Sequence, residues 1–184
     1  MRFKGIAVLA AAAMLASPAL SEPQRDAVSK TLSPEAAAAA FNDVVITACI
    51  PAVTSGALPA SARGKLQATS DAGMRKQSGA APDENVWDVT AGKGVVTVHE
   101  KPGRCVTSVY GPPAIGTIAT LANLLTHSGF ERLVGGAAPE GFSQTLIRTE
   151  AGKQVTVVLW GSDPGMPGHE SRFSVVKATV FSAR

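Results

Sequence analysis

The sequence predicts an α+β protein, an antiparallel β-sheet with two or three helices packed on one face, in a single domain. The main observation is the order of segments: a helix, an ambiguous stretch, three strand-like runs, a helix, and three more strand-like runs. This order lacks the strand–helix alternation of parallel α/β proteins, and it is not all-β. The length of 184 residues, less an N-terminal signal, fits one domain.

The N-terminus has the three-part order of a secretory signal peptide. Arg2 and Lys4 precede an apolar run from Ile6 to Ala16, and the small residues of "SPALS" follow. This run is shorter than the roughly 20 residues of a membrane span, which favours cleavage, best placed after Ser21, over a retained anchor. The predicted segments are a signal peptide (1–21), a flexible leader (22–32) and the α+β domain (33–184).

The charge of the predicted mature chain excludes one class of partner. The full chain has 17 basic and 14 acidic residues, and the signal removes two basic residues and no acidic one, which leaves a net charge of +1. This balance gives no support to nucleic-acid binding. Because we find no second long apolar stretch, we expect no stable membrane insertion after signal cleavage.

The domain opens with "SPEAAAAAFNDVVITACIPAV", which predicts a helix. Ser33 is a good N-cap, and Pro34 suits the first helical position. Phe41 and Cys49 lie two turns apart on one apolar face. Pro51 is expected to end this helix near Cys49.

The next segments give one ambiguous helix and three strands. Residues 61–77 stay open, because Ser61 suits a helix cap whereas Gly73 weakens a helix. "VWDVT", "GVVTVHEK" and "RCVTSVYG" are then punctuated by "AGKG" and "KPGR", which predicts an antiparallel meander. In the third strand, alternation places Cys105 and Thr107 on one side and Val106 and Ser108 on the other.

The second half contains a helix and three further strands. "AIGTIATLANLLTHSGF" has an apolar stripe at helical spacing, and Gly129 is its expected C-cap. The segment "GGAAPEG" separates this helix from the next strands. The predicted strands are Phe142–Arg148 and Gln154–Trp160, joined by "TEAGK", and a last one in "RFSVVKATVFSA".

The two cysteines, Cys49 and Cys105, are predicted to form one disulfide. An exported protein with two cysteines usually pairs them. A reactive thiol is the alternative, but neither cysteine belongs to a CxxC motif. The bond would connect the first helix to the sheet.

The stretch "LWGSDPGMPGHESRF" connects the last two predicted strands. Its prolines, glycines and Asp163 favour an exposed turn from Ser162 to Ser171, with Trp160 and Phe173 packed at its base. At about ten residues it exceeds the usual hairpin loop of 2–5, so a binding loop remains the alternative. The candidate binding residues are Trp160, Ser162, Asp163, His169, Glu170 and Arg172.

Motifs for catalysis, metals and cofactors are missing from the sequence. The three histidines (His99, His127 and His169) do not form HxxxH or HExxH spacing, and there is no G-x-S-x-G motif. Ser162, Asp163 and His169 could still meet in space as a triad. We therefore predict no catalytic residues, no metal site and no cofactor.

With "AFNDVVITACIP" in its first helix and "GRCVTSVYG" in a strand, the chain resembles small uncharacterised exported proteins of Gram-negative bacteria. The resemblance implies a periplasmic α+β domain and no particular activity. The function expected is a periplasmic binding or protein-interaction module without catalytic activity, whose partner is an envelope protein or a small ligand. The alternative is a small periplasmic hydrolase or metal-binding protein that uses the 162–171 loop.

Overall fold

The computed structural model describes residues 32–90, 94–138, 141–150, 152–167, 169 and 171–183. The predicted signal peptide, nearly all of the leader and the candidate binding residue Glu170 lie outside the described residues.

One antiparallel sheet organises the described part of the chain, and it confirms the predicted α+β class. Its eight strands stand in the order β1-β2-β3-β4-β8-β7-β6-β5. The strands are β1 (Gln67–Ala68), β2 (Asn85–Asp88), β3 (Val96–Lys101), β4 (Arg104–Tyr110), β5 (Glu131–Ala138), β6 (Gly141–Glu150), β7 (Lys153–Ser162) and β8 (Val175–Ala183).

The described helices are mostly short. They are α1 (Pro34–Val44), a π-helical turn (Val45–Cys49), α2 (Ile50–Ser55), α3 (Ala60–Arg63), α4 (Ala72–Ser78) and α5 (Ala114–His127). Helices α1, α2 and α5 pack on one side of the sheet, which we call the helix face, and bury a core that includes Phe41, Ile118 and Val157. The opposite side, the far face, carries α4 over β3 and β4, where the Tyr110 hydroxyl donates to the Gln77 carbonyl at 3.0 Å.

The first helix begins where predicted but does not end there. Ser33 Oγ accepts a hydrogen bond from Ala36 N at 3.2 Å, as the cap prediction requires. The prediction that Pro51 ends the helix near Cys49 is wrong, because the chain continues helically to Ser55. The π-helical turn just before the proline widens the helix, and Ile50 N bonds to the carbonyl of Val45. This rearrangement accommodates a residue that has no N–H to donate.

The disulfide between Cys49 and Cys105 is confirmed, with 5.3 Å between the two Cα atoms. The Thr107 hydroxyl lies 3.2 Å from the Cys49 sulfur and must be the donor, since a disulfide sulfur carries no hydrogen. Cys105 and Thr107 thus share the helix face, as strand alternation predicts.

The expectation of no second long apolar stretch after the signal is wrong for the α1–α2 region. Residues Pro34–Ser55 are long and apolar enough to cross a membrane by length and composition alone. However, 56% of an 18-residue apolar stretch within this segment is buried inside the fold, and the segment is cross-linked to β4 by the disulfide. Packing against the sheet is therefore sufficient to explain its apolar character.

The structure assigns one segment that the sequence left open and contains one strand that the sequence did not predict. Residues 61–77 form α3, β1 and α4, and Asp71 caps α4 by accepting from Met74 N at 2.7 Å. No strand was predicted for "GGAA", which forms the second half of β5 and pairs with β6 from Gly135 to Ala138. Gly135 fits there because a Cβ would lie 3.2 Å from the Ser143 carbonyl oxygen.

Candidate functional site

Strand β5 forms one edge of the sheet. Within the described part of the chain its eight residues pair with β6 on one side only, so alternate main-chain N–H and C=O groups point away from the sheet. A bulge shifts the register between Arg132 and Val134, and the extra residue, Leu133, is 55% exposed. The remainder, from Val134 to Ala138, pairs in regular register. This edge offers unpaired hydrogen-bonding groups next to an exposed apolar side chain.

A groove of about 550 Å³ lies on the helix face over β5 and β6, beside helix α5. Its volume lies within the ~300–1,000 Å³ typical of ligand sites. Three of its lining residues are small, namely Ala119 on the helix and Gly135 and Gly136 on the strand. The residues that line it are Ala119, Asn123, Arg132, Leu133, Gly135, Gly136, Phe142 and Gln144.

One end of the groove lies near the connection between α5 and β5. Helix α5 and strand β5 follow each other in the chain, so the short connection Ser128–Phe130 joins their adjoining ends. Gly129 turns the chain at φ +86°, and Phe130 N bonds back to the Leu125 carbonyl at 3.0 Å. Next to this turn, Arg132 Nη2 donates to Asn123 Oδ1 at 2.5 Å and links strand to helix.

The predicted binding loop lies at the other end of α5, where it connects β7 to β8. Its strongest contacts are structural: Asp163 Oδ1 accepts from Ala114 N at 2.8 Å and from Ser174 Oγ at 2.6 Å. Asp163 therefore satisfies a main-chain donor in the first turn of α5, where a negative charge also suits the helix dipole.

Ser162, Asp163 and His169 do not form a triad in the structure. Ser162 is 1% exposed, and its Oγ lies 3.8 Å from the Met166 sulfur. His169 Nε2 lies 2.9 Å from the Phe173 carbonyl oxygen and is the donor, because a carbonyl can only accept. Each of the three side chains thus has a different partner.

The remaining loop predictions have mixed outcomes. The connection between two antiparallel strands is confirmed, with Ser162 opposite Val175. The prediction that the turn is exposed from Ser162 onward is wrong at Ser162, because this residue belongs to β7 and is buried. Trp160 lies half-buried on the far face opposite Lys177, and Arg172 is exposed. Neither Trp160 nor Arg172 lines the groove.

Sequence reasoning missed a buried charged cluster on the far face. Glu84 Oε2 lies 2.6 Å from His99 Nδ1, and Glu84 Oε1 pairs with Arg104 Nη1. The Glu84 and His99 side chains are 0% and 2% exposed. Alternation along β3 and β4 could have placed His99 and Arg104 on one face, but no local signal marked Glu84, which lies in the connection before β2.

Opposing effects set the charge states in this cluster. Burial would raise the pKa of Glu84, but hydrogen bonds from Ala81 N and His99, with the charges of His99 and Arg104, outweigh it and lower that pKa. Burial lowers the pKa of His99, against the opposing effect of Glu84. At neutral pH a Glu84 carboxylate therefore accepts from the Nδ1–H of a neutral His99. The cluster fixes the connection between α4 and β2 to the sheet.

Within the described ranges, no three His, Cys, Asp or Glu side chains come close enough together to hold a metal ion. Comparison with protein-family models, with curated proteins and with solved structures finds no match. The function must therefore be argued from the geometry of this chain.

Proposed function

We propose that the protein is a periplasmic protein-interaction module without catalytic activity, which binds an extended polypeptide segment as an added strand beside β5. The observation that supports this best is that an edge strand of eight residues, paired on one side only among the described residues, lies next to a groove bounded by a helix. Main-chain hydrogen bonds to such an edge supply affinity, and neighbouring side-chain pockets supply specificity.

The composition of β5 supports a bound partner rather than a protected edge. Natural proteins protect exposed edges with lysines, prolines, bulges or very short strands. Strand β1, at the opposite edge, has two residues and follows this pattern. Strand β5 has eight residues, no lysine or proline, and an exposed leucine beside the groove. Its single bulge leaves Val134–Ala138 regular enough to pair.

The cellular location rests on other features. The N-terminal signal pattern and the disulfide both suit an exported protein. The resemblance to exported proteins of Gram-negative bacteria supports the periplasm in particular, and makes another envelope protein the expected source of the peptide. The hydrolase alternative has less support, because Ser162, Asp163 and His169 each bond to a different group.

The test uses random seven-residue peptides displayed on a carrier and selected against the purified disulfide-bonded protein. Binding of selected peptides should weaken in the Leu133→Lys variant, which places a charge on the edge. The Leu124→Lys variant is the matched control, since Leu124 is also exposed, at 43%, but does not line the groove.

Hydrogen exchange then identifies the binding mode. Bound peptide should slow exchange of amides within residues 131–138, because strand addition gives the outward N–H groups new acceptors. Protection elsewhere with none on β5, or equal peptide affinity in the Leu133→Lys and Leu124→Lys variants, would exclude strand addition.

A further inference from the structure

We infer that the partner segment carries an aromatic side chain that lies across β5 at Gly135 and packs on Phe142, and an acidic side chain two positions away beside Arg132. This inference rests on the proposed function and adds which side chains of the added strand are recognised. It follows from the small residues on the helix face of β5, the groove floor that they leave open, and the charge of Arg132.

The helix face of β5 has small residues where the strand is regular. Strand alternation and the register with β6 place Gly135 and Ala137 on this face, level with Gln144 and Phe142. Both small residues are exposed, and α5 packs mainly over β6, β7 and β8. A strand added outside β5 would therefore meet no large side chain between itself and the β6 residues that line the groove.

The groove floor can be reached from outside this edge. Phe142 and Gln144 line the groove and are only half-buried. An added strand lies about 4.8 Å beyond β5, so its side chain opposite Gly135 has to extend across the glycine to reach them. Aromatic rings extend further from the backbone than valine or leucine, and an aromatic side chain packed over an edge glycine stabilises β-sheets. The ring would then lie on Phe142 and beside Ala119.

Arg132 provides charge complementarity beside this position. Of the eight residues that line the groove, it alone is charged. It is exposed and donates to Asn123 Oδ1, and no carboxylate pairs with it within the described part of the chain. Glu131 lies in register with Ile147 on the far face. An acidic side chain on the added strand would therefore be attracted to Arg132 as an opposite-charge cross-strand pair.

The bulge in β5 sets the spacing of the two recognised positions. Arg132 and Gly135 are three residues apart, but they pair with Leu146 and Gln144, which are two residues apart. Both therefore lie on the helix face, and side chains two apart on an added strand also share that face. The recognised pattern is an aromatic and an acidic residue separated by one residue, in an order that depends on strand direction.

The experiment sequences the seven-residue peptides that bind the wild type and protect β5 in hydrogen exchange. They should be enriched in an aromatic and an acidic residue two positions apart. Replacing the aromatic residue by alanine should lower the affinity about tenfold or more, as for a residue that anchors an interface. Replacing the acidic residue by glutamine should lower it about two- to fivefold, in keeping with a charged cross-strand pair.

Two exposed positions on α5 provide matched variants of the groove. Ala119→Trp fills the groove from the helix, whereas Thr120→Trp places the same side chain next to the lining residues but outside them. Ala119→Trp should lose about tenfold in affinity for the aromatic peptide. It should bind the alanine version as the wild type does, which also shows that the variant is folded. Thr120→Trp should bind both peptides as the wild type does.

Arg132→Glu tests the charged position. This variant should prefer the peptide in which lysine replaces the acidic residue over the original peptide. Arg63→Glu, at an exposed arginine of α3 that does not line the groove, should keep the wild-type preference for the acidic peptide.

The outcomes separate this inference from the proposed function. Peptides that protect β5 without an aromatic residue, or equal affinity of Ala119→Trp and Thr120→Trp for the aromatic peptide, would overturn the inference and leave strand addition standing. An unchanged preference in Arg132→Glu would overturn its charged part. If no selected peptide protects β5, the proposed function and this inference both fail.

Discussion

Two titratable side chains, Asp163 and His99, have structural roles that the local sequence did not indicate. Asp163 was a candidate for binding or catalysis because it lies in a glycine- and proline-rich loop, yet it holds the loop to the start of α5. His99 had no motif around it, yet it is buried against Glu84. Neither role follows from local sequence, because each depends on a partner that is distant in the chain.

The Glu84–His99 pair predicts that stability falls as the pH falls. The pKa of His99 is lowered in the folded state, so below its ordinary value of 6.5 the unfolded chain takes up the proton first. The pKa of Glu84 is also lowered, so below 4.5 the unfolded chain again binds the proton first. Both titrations therefore favour unfolding, one starting near pH 6.5 and the other near pH 4.5.

Urea denaturation at pH values from about 7.5 to about 5.0, a range that spans the first onset and stays above the second, measures the His99 effect. The His99→Gln variant should have a smaller decrease in unfolding free energy across this range than the wild type. A His99→Gln variant with an unchanged pH dependence would contradict the assigned cause.

At the scale of elements, hydrophobic spacing predicted the long helix and most strands, and it failed where glycine or proline dominated. The apolar stripe of α5 and the valine-rich runs of β3, β4, β7 and β8 bury a core face, which makes their period visible in sequence. Strand β5 lacks that signal because it lies at the sheet edge and contains two glycines. Helix continuation through Pro51 was missed because it depends on a π-helical turn.

The close contact between α5 and β7 gives a second prediction. A Cβ at Gly161 would lie 2.9 Å from the Ala114 Cβ and 3.0 Å from the Ile118 Cδ1. Gly161→Ala should therefore push the helix from the sheet and lower the unfolding free energy by about 1–3 kcal/mol.

Gly116→Ala provides the control on the same helix. A Cβ at Gly116 meets nothing within 4 Å, so alanine should raise stability by up to about 1 kcal/mol through its helix propensity. Chemical denaturation of both variants checks the pair. A Gly161→Ala protein as stable as the wild type would mean that α5 can shift without loss of packing.

At the scale of the whole molecule, the sequence predicted the fold class, the disulfide and the long helices on one face. Each of these follows from a pattern or from a count of residue types. The groove could not be predicted, because it depends on how far apart α5 and β5 lie after folding. The position of β8 between β4 and β7 could not be predicted either, because no local sequence pattern specifies which distant strands pair.

The disulfide connects elements 56 residues apart and should contribute strongly to stability. The chain-entropy relation gives about 4 kcal/mol for a loop of this length, and losses after removal of a native disulfide are typically 2–5 kcal/mol. A Cys49→Ala/Cys105→Ala double variant should unfold at lower denaturant concentration by an amount in this range. The same stability in the oxidised wild type and the double variant would refute this role.

The central position of β8 has a consequence for how the chain is made. Residues 175–183 pair with β4 on one side and β7 on the other, so they join the two halves of the sheet. Until residues 175–183 emerge from the ribosome, β4 and β7 each lack one neighbouring strand. The two halves of the sheet can therefore form separately, but they join only after β8 has been synthesised.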